Sequence, residues 1–349
     1  MPERIQYVDL IRAYAIIAVI IIHVSGSLVG SFPSIKFSWW WTGNFFNSFC
    51  RPCIPLFVMI SGLLLLKPEH NDGIIFFFKK RIKRVLVPFC VWAIIYLLWI
   101  SYVNERKISF VYFFSGIVQG PVYTHLWFIY MILGLYLATP ILRVYIQNSS
   151  KTNQIYFAIL WFTTVSIFPS IQNYSNLKIG IPIVVSTGFV GYYILGYMLS
   201  EIRFSKNLFI LSLVIFIISW IVTCIGSYLI SVKSGEGFNP ALYDYLSPNI
   251  ICMSMGLFLL IKFCTECYFF KFPFLLRIIR SLSEASFSIY LIHMIILETL
   301  KYGSAGITLS GETFHPLIGI PLTTFFVFSL CFTIYSIMRR VPLINYIFP

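Results

Sequence analysis

Long apolar runs separated by short polar or basic connections make up most of the chain. A helix rises about 1.5 Å per residue, so about 20 apolar residues cross the hydrocarbon core of a bilayer. The pattern predicts about ten membrane-spanning helices. Their approximate bounds are residues 8–29, 52–66, 85–103, 122–147, 153–170, 179–200, 207–230, 248–265, 284–300 and 316–338.

Composition supports the same fold class. Of the 349 residues, 59% are apolar and only 11% are charged, whereas charged residues make up about 25% of a soluble chain. We therefore expect an all-α integral membrane protein, a polytopic helical bundle. No segment is long and polar enough for a separate soluble domain, so residues 1–349 are expected to form a single integral-membrane domain.

The charges of the connections predict how the bundle is oriented. With the N-terminus in the cytoplasm, 18 of the 25 lysine and arginine residues fall on the cytoplasmic side and 7 on the other. Cytoplasmic loops are enriched in these residues, so both termini are expected in the cytoplasm. The net charge of +13 is attributed to topology and to lipid headgroups of an inner or plasma membrane, not to nucleic-acid binding. A homo-oligomer stays an open alternative.

Two irregular stretches and a connector stand out. Trp39, Trp40 and Trp41 follow the first span and are expected to form an interfacial anchor within a loop. The second span is short and is predicted to be broken at Pro55 and at Ser61–Gly62, where neighbouring helices satisfy the freed backbone groups. Residues 266–282 are predicted to form a basic amphipathic connector.

Two CxxC pairs, Cys50 with Cys53 and Cys264 with Cys267, suggest a zinc site. The predicted topology puts the pairs on opposite sides of the membrane, which excludes one shared tetrahedral site. We expect packing cysteines and no metal.

The first span carries Asp9, Arg12 and His23. A charged side chain at membrane depth costs about 2.5–3.5 kcal/mol on insertion scales, so such residues usually face the bundle interior and have a function. Arg12 and His23 are offset by only about 20° around the helix axis and by about 16 Å along it. This shared face favours a functional stripe over the alternative, a snorkelling arginine and a hydrogen-bonded interior histidine.

His125 and His293 are also predicted within the membrane, with His125 at the depth of His23. A neutral imidazole accepts a proton near pH 7, which suits a general base acting on a hydroxyl group. A structural hydrogen bond to a neighbouring helix is the alternative for His125 and His293.

Arg81 and Arg84 lie in the basic run KKRIKR before the third span. They are three residues apart and are expected to share one helix face. Arginine is favoured for bidentate phosphate recognition. A plain topology signal is the alternative.

Several of these segments resemble the acyltransferase-3 family of membrane O-acyltransferases. One family motif is an arginine and a histidine separated by ten residues, as in Arg12 and His23; another is two arginines separated by two residues, as in Arg81 and Arg84. IPLFVMISGLLL, HLWFIYMILGLYLATPIL and SFSIYLIH are similar to further recurrent segments, in the family's order. The chain resembles the short branch that acetylates cell-surface polysaccharides and their lipid-linked precursors, without the periplasmic hydrolase-like domain of longer relatives.

The resemblance implies acyl transfer from a cytoplasmic acyl-coenzyme A, with acetyl-coenzyme A as the expected donor, to a hydroxyl of a saccharide or its lipid-linked precursor. Lys80, Arg81 and Arg84 would bind the coenzyme's phosphates, and Arg12 would guide or polarise the thioester. His23 would deprotonate the acceptor hydroxyl or, alternatively, carry the acyl group.

The resemblance also supplies the remaining expectations. Asp9 is expected to fix the Arg12 guanidinium or to cap the helix. The substrate is expected to contact five residues of the later motifs: His125, Trp127, Tyr130, Tyr290 and His293. For Trp127 and Tyr130, interfacial packing is an equal alternative. Glu284 departs from the family pattern, and its role is open.

A transporter or flippase is the main alternative, because ten spans with polar intramembrane residues and broken helices suit either class. A structural subunit of a polysaccharide machine is a second alternative, but it gives no reason for Arg12 and His23 to share a face.

Overall fold

The computed structural model describes residues 4–67, 73–104, 120–174, 188–267, 273–304, 306–342 and 346–348. Every regular element in these ranges is helical. The helices are α1 Gln6–Gly30, α2 Phe37–Cys50, α3 Cys53–Leu65, α4 Ile74–Arg81, α5 Val87–Asn104, α6 Trp127–Asn148, α7 Lys151–Phe162, α8 Phe168–Tyr174, α9 Val190–Ser200, α10 Lys206–Ser234, α11 Pro248–Cys267, α12 Pro273–Lys301 and α13 Pro316–Met338. Short π-helical turns, Ile82–Leu86 and Thr163–Ile167, join α4 to α5 and α7 to α8.

The prediction of a polytopic all-α membrane protein is confirmed. Within the described ranges, 8 helical segments are long and apolar enough to cross a membrane. The predicted span 179–200 corresponds to α9, with residues 179–187 outside the described residues. The predicted span 284–300 lies within α12, which has 29 residues and carries several charged ones, and α12 is not among the eight. The count of ten spans stays a prediction.

The second predicted span is wrong in its bounds. α2 and α3 together form one membrane-length segment, Phe37–Leu65, interrupted only at Arg51 and Pro52. The tryptophan run lies in the first turns of α2 instead of a loop, and the Trp40 indole is buried and donates a 3.1 Å hydrogen bond to the Val29 carbonyl. Pro55 is tolerated because it occupies the first turn of α3, where backbone N–H groups have no helical acceptor.

The centre of the bundle is α1, which packs against α2, α3, α11, α12 and α13. Its residues Ile11, Ile16, Ile20 and Leu28 are fully buried. α10, in contrast, exposes many large apolar side chains along its length, as expected for a helix that faces lipid. On α1, Asp9 and Ser25 are buried, and Arg12 and His23 are partly buried.

α3 and α9 cross with their backbones in contact. A methyl group on Gly62 would lie 1.8 Å from the Tyr193 carbonyl oxygen, and one on Gly196 would lie 1.9 Å from the Met59 carbonyl oxygen. Small residues permit such close approach between membrane helices. The predicted break at Ser61–Gly62 is therefore a helix contact, and α3 continues through it.

The start of α1 and the end of α13 lie at the same end of the bundle. The Arg4 guanidinium pairs with Glu284 at 2.8 Å, and Arg339 pairs with the other oxygen of the same carboxylate at 3.1 Å. An even number of crossings gives this arrangement. Its orientation in the membrane stays a prediction from the charge asymmetry.

Gly196→Ala is expected to destabilise the α3–α9 crossing by about 1–3 kcal/mol, because neither backbone can move aside without repacking. The measurement is the thermal unfolding midpoint of the detergent-purified protein. Gly134→Ala is the matched control, since a methyl group there meets nothing within 4 Å. Equal midpoints for the two variants would contradict the close approach.

Candidate active site

Three imidazole rings from distant parts of the chain meet inside the bundle. His23 lies on α1, His125 in the short helical turn Thr124–Leu126 before α6, and His293 on α12. The ring centroids are 6.4 Å apart for His23 and His125, 5.2 Å for His23 and His293, and 5.0 Å for His125 and His293. His23 and His125 therefore lie close together, as residues at one depth would, and His293 completes the cluster.

Several nitrogens of this cluster have no partner among the described residues. Both ring nitrogens of His125 and the Nε2 atom of His293 are buried without a hydrogen bond. The Nδ1 atom of His293 lies 2.6 Å from the Tyr290 carbonyl oxygen, so this bond fixes its ring. A buried polar atom left unpaired costs free energy, and such atoms often mark functional sites. These nitrogens are available to a substrate hydroxyl.

Tyrosines hold the histidines in place. The Tyr290 hydroxyl donates to the carbonyl oxygen of His125, and the Tyr96 hydroxyl donates to the Leu291 carbonyl at 2.7 Å. The rings of Tyr96 and Tyr290 also pack against His125, with centroids 4.9 and 5.3 Å away. Tyr290 therefore positions His125. Tyr96 was not singled out from the sequence, because its contact to α12 joins residues 195 positions apart.

Arg51 reaches the same region from the break between α2 and α3. Its Nε atom donates to the Asn47 side-chain oxygen at 2.9 Å, and Asn47 donates to the Ile22 carbonyl at 3.1 Å and to Ser25 at 2.9 Å. The Arg51 charge acts on the His23 imidazole. In the sequence, Arg51 is only one of the charges predicted on the outer side of the membrane. Pro52 beside it is the signal that a helix breaks there.

A second polar site lies toward the other end of α1. The charges of Arg12 and Arg81 both act on the Tyr136 hydroxyl. The Arg81 guanidinium lies 5.4 Å from the centroid of the Phe77 ring and 5.7 Å from that of Tyr136, and the Arg143 guanidinium lies 4.8 Å from that of Phe77. Arginines from α1, α4 and α6 therefore converge, an arrangement suited to phosphate. Arg143 was predicted only as a topology signal.

Arg81 and Arg84 do not share a face. The π-helical turn Ile82–Leu86 follows Arg81, and its wider turn changes the spacing on which the prediction rested. Arg81 turns inward, with a buried Nε atom that has no partner among the described residues, whereas Arg84 is exposed. Lys80 is partly buried.

Asp9 is bonded to neighbours other than Arg12. Its carboxylate accepts hydrogen bonds from Arg4 at 2.6 and 3.0 Å and from the Ser283 hydroxyl at 2.6 Å. The bond to Asp9 raises the pKa of Arg4 above its usual value, although burial opposes this, and Glu284 adds to the rise. Among the described residues, no side chain caps the start of α1. Asp9 thus fastens the start of α1 to α12, and Glu284 joins Arg4 to Arg339.

Trp127 and Tyr130 pack against other aromatic rings. The Trp127 ring stacks on Tyr245 with centroids 5.7 Å apart, and the Tyr130 ring packs edge-on against Phe89 at 5.1 Å. Among the described rings, neither contacts a histidine of the cluster. Any contact they make with substrate would be at the edge of the site.

The cysteines are free where the structure describes them. Cys50 and Cys53 are buried on either side of the α2–α3 break, and Cys264 and Cys267 lie in the last turns of α11. Within the described ranges, no three histidine, cysteine or acidic side chains are placed to share a metal ion.

These features define a polytopic helical membrane protein with a buried imidazole cluster and a separate arginine site. The family model of an acyltransferase domain, that of the acyltransferase-3 family, matches residues 5–336. The chain belongs to the acyltransferase-3 family, and this membership supports acyl transfer as its general reaction. Comparisons with curated proteins and with solved structures gave no match.

Asp9→Asn is expected to lower stability by about 1.5–3 kcal/mol, because a buried carboxylate with charge-assisted bonds is lost. Glu284→Gln is the control, since this carboxylate is 35% exposed and exposed ion pairs contribute less than about 1 kcal/mol. Thermal midpoints measure the difference. The kcat of the folded Asp9→Asn protein should stay within about twofold of wild type. A large loss of kcat at unchanged stability would show instead that Asp9 takes part in catalysis.

Proposed function

We propose that this protein transfers an acyl group, most simply acetyl, from cytoplasmic acyl-coenzyme A to a hydroxyl of a cell-surface saccharide or its lipid-linked precursor. The observation that carries the proposal is the His23–His125–His293 cluster, whose open nitrogens lie in a buried site. Membership of an acyltransferase family supports acyl transfer as the reaction in which this cluster takes part. We assign the protein to an inner or plasma membrane, with residues 1–349 acting as one domain and both termini in the cytoplasm.

The donor would enter at the arginine site. Arg12, Arg81 and Arg143 would bind the phosphates of the coenzyme, assisted by Lys80 and the exposed Arg84 at the mouth. Arg12 and His23 are about 16 Å apart along α1, so Arg12 does not reach a carbonyl held beside His23. We therefore assign Arg12 to guiding the extended pantetheine arm and not to polarising the thioester.

His23 would act as the general base. Its imidazole takes the proton of the acceptor hydroxyl while the hydroxyl oxygen attacks the thioester carbonyl carbon. The carbon–sulfur bond breaks, the coenzyme leaves as a thiolate, and the proton returns to this sulfur. His293 and His125 would orient the acceptor and His23 through their open nitrogens. The products are an O-acyl ester and free coenzyme A, so the step needs no further reactant.

His23→Ala is expected to lower the rate of acyl transfer by at least about 100-fold, since general base catalysis contributes about 10²–10⁴-fold. The assay follows radiolabelled acetyl-coenzyme A incubated with the purified protein and base-deacylated envelope saccharide. His315→Ala is the matched control, because His315 is an exposed histidine at the start of α13. Normal transfer by His23→Ala would remove His23 from catalysis. A wild-type protein that neither transfers nor hydrolyses acetyl-coenzyme A would favour a transporter.

Arg81→Ala and Arg84→Ala are expected to differ. Loss of the inward Arg81 should raise the KM for acetyl-coenzyme A by about 10-fold or more, as for a charged hydrogen bond. Loss of the exposed Arg84 should change it by less than about threefold, because exposed charges contribute little. Steady-state kinetics on proteins of equal thermal midpoint make the comparison, and equal effects would contradict the placement of Arg81.

A further inference from the structure

A cavity lies beside the α2–α3 break, away from the arginine site. It has a volume of about 590 Å³, and its lining includes Arg51, Ser166, Asn173, Tyr243, Asp244 and Tyr245 beside several apolar residues. This volume falls within the range of about 300–1,000 Å³ that is usual for small-ligand sites. The lining combines flat rings with hydroxyl, amide and carboxylate groups, which is the chemistry that a saccharide requires.

Ser166 shows that the cavity is built for a polar ligand. It is only 1% exposed, and its hydroxyl oxygen is buried without a hydrogen-bond partner among the described residues. Ser166 lies in the π-helical turn Thr163–Ile167 that joins α7 to α8. Such turns are rare and frequently occur at functional sites, because the extra residue redirects side chains. An unpaired buried hydroxyl of this kind is ready to bond an incoming hydroxyl group.

Another part of the cavity lining is charged, aromatic and held by hydrogen bonds. The Arg51 guanidinium lies 4.0 Å from the centroid of the Tyr243 ring and 5.9 Å from that of Tyr245. The Tyr243 hydroxyl is held by Ser48 at 3.1 Å, and the Tyr245 carbonyl accepts a 2.5 Å hydrogen bond from the Tyr192 hydroxyl. These bonds fix the aromatic wall before any ligand arrives, which lowers the entropic cost of binding.

Hydrogen bonds connect this cavity to the helix that carries His23. Arg51 lines the cavity and donates to the Asn47 side-chain oxygen, and Asn47 donates to the carbonyl of Ile22, which precedes His23 on α1. A ligand held against Arg51 would therefore lie near the turn of α1 that carries the proposed general base.

A larger cavity along α7 does not offer this chemistry. It has a volume of about 860 Å³ and is lined mainly by apolar residues such as Ile155, Ile159, Leu195 and Met255. Such a lining suits hydrocarbon and gives few partners to hydroxyl groups.

We propose that the cavity between Ser166 and Arg51 is the acceptor site, which binds the saccharide that receives the acyl group. This proposal rests on the proposed function, because it assumes that the acceptor is a saccharide. Ser166 would bond a sugar hydroxyl, Arg51 and the tyrosines would hold the ring, and a second hydroxyl would reach His23.

The test uses the full-length purified protein and oligosaccharides from the envelope of the strain that carries the gene, stripped of esters by mild base. Ser166→Ala should raise the KM for this acceptor about fivefold, as for one ordinary hydrogen bond, and leave the KM for acetyl-coenzyme A unchanged.

Asn173→Trp places a ring at the exposed rim of the cavity and should abolish saccharide binding in calorimetry. Gln172→Trp is the matched control, because Gln172 is also exposed on α8 but does not line the cavity. Lipid-linked saccharide and detached polymer are assayed in parallel, and the variants should lose whichever of them the wild type uses.

Wild-type binding and transfer in Asn173→Trp would overturn the acceptor site while leaving the proposed function intact. A wild-type protein that binds saccharide but transfers no acyl group would overturn the proposed function, and loss of that binding in Asn173→Trp alone would still support the site. A wild-type protein that binds no saccharide from either source would overturn the site.

Discussion

The cost of burying polar side chains at membrane depth governs this structure. α1 carries an arginine and a histidine through the centre of the bundle, and five other helices surround it. Water is not there to solvate these groups, so each must find a partner or be kept for a ligand. Arg4, Asp9 and Ser283 satisfy one another at the start of α1. His125 and His293, which pack against His23 further along α1, are left with unpaired nitrogens, and this difference separates the two ends of α1.

Departures from regular helix create the sites. The break at Arg51 and Pro52 brings a guanidinium into the bundle, and the π-helical turn after Arg81 sends Arg81 inward and Arg84 outward. The π-helical turn that contains Ser166 places a buried hydroxyl in the lining of a cavity. In regular helices, these side chains would lie along continuous helix faces instead of being redirected. Irregular backbone at membrane depth is tolerated where it is buried in protein, as it is here.

The parts of the site that were predictable are those that follow from helical periodicity. α1 is continuous, so Arg12 and His23 keep the helical spacing that their sequence positions predict. The placement of His125 near His23 follows from the order of the predicted spans. The parts that were not predictable depend on contacts between distant segments. Asp9 bonds Ser283, 274 positions away, in preference to Arg12, which lies one turn along its own helix. In the sequence, Arg51 and Arg143 cannot be told apart from the charges that set the topology. Only the packing around them shows that they face inward.

The ion pairs at the start of α1 have a consequence for biosynthesis. Asp9 and Arg4 are translated well before Ser283 and Glu284, the residues they bond, which lie 274 and 280 positions later in the chain. The same order applies to the imidazole cluster, since His293 lies on α12 and His23 on α1. Before α12 is made, Asp9 therefore has only Arg4 among these partners, and the imidazole cluster is incomplete. Insertion of α12 completes both sets of contacts in the same step of translation.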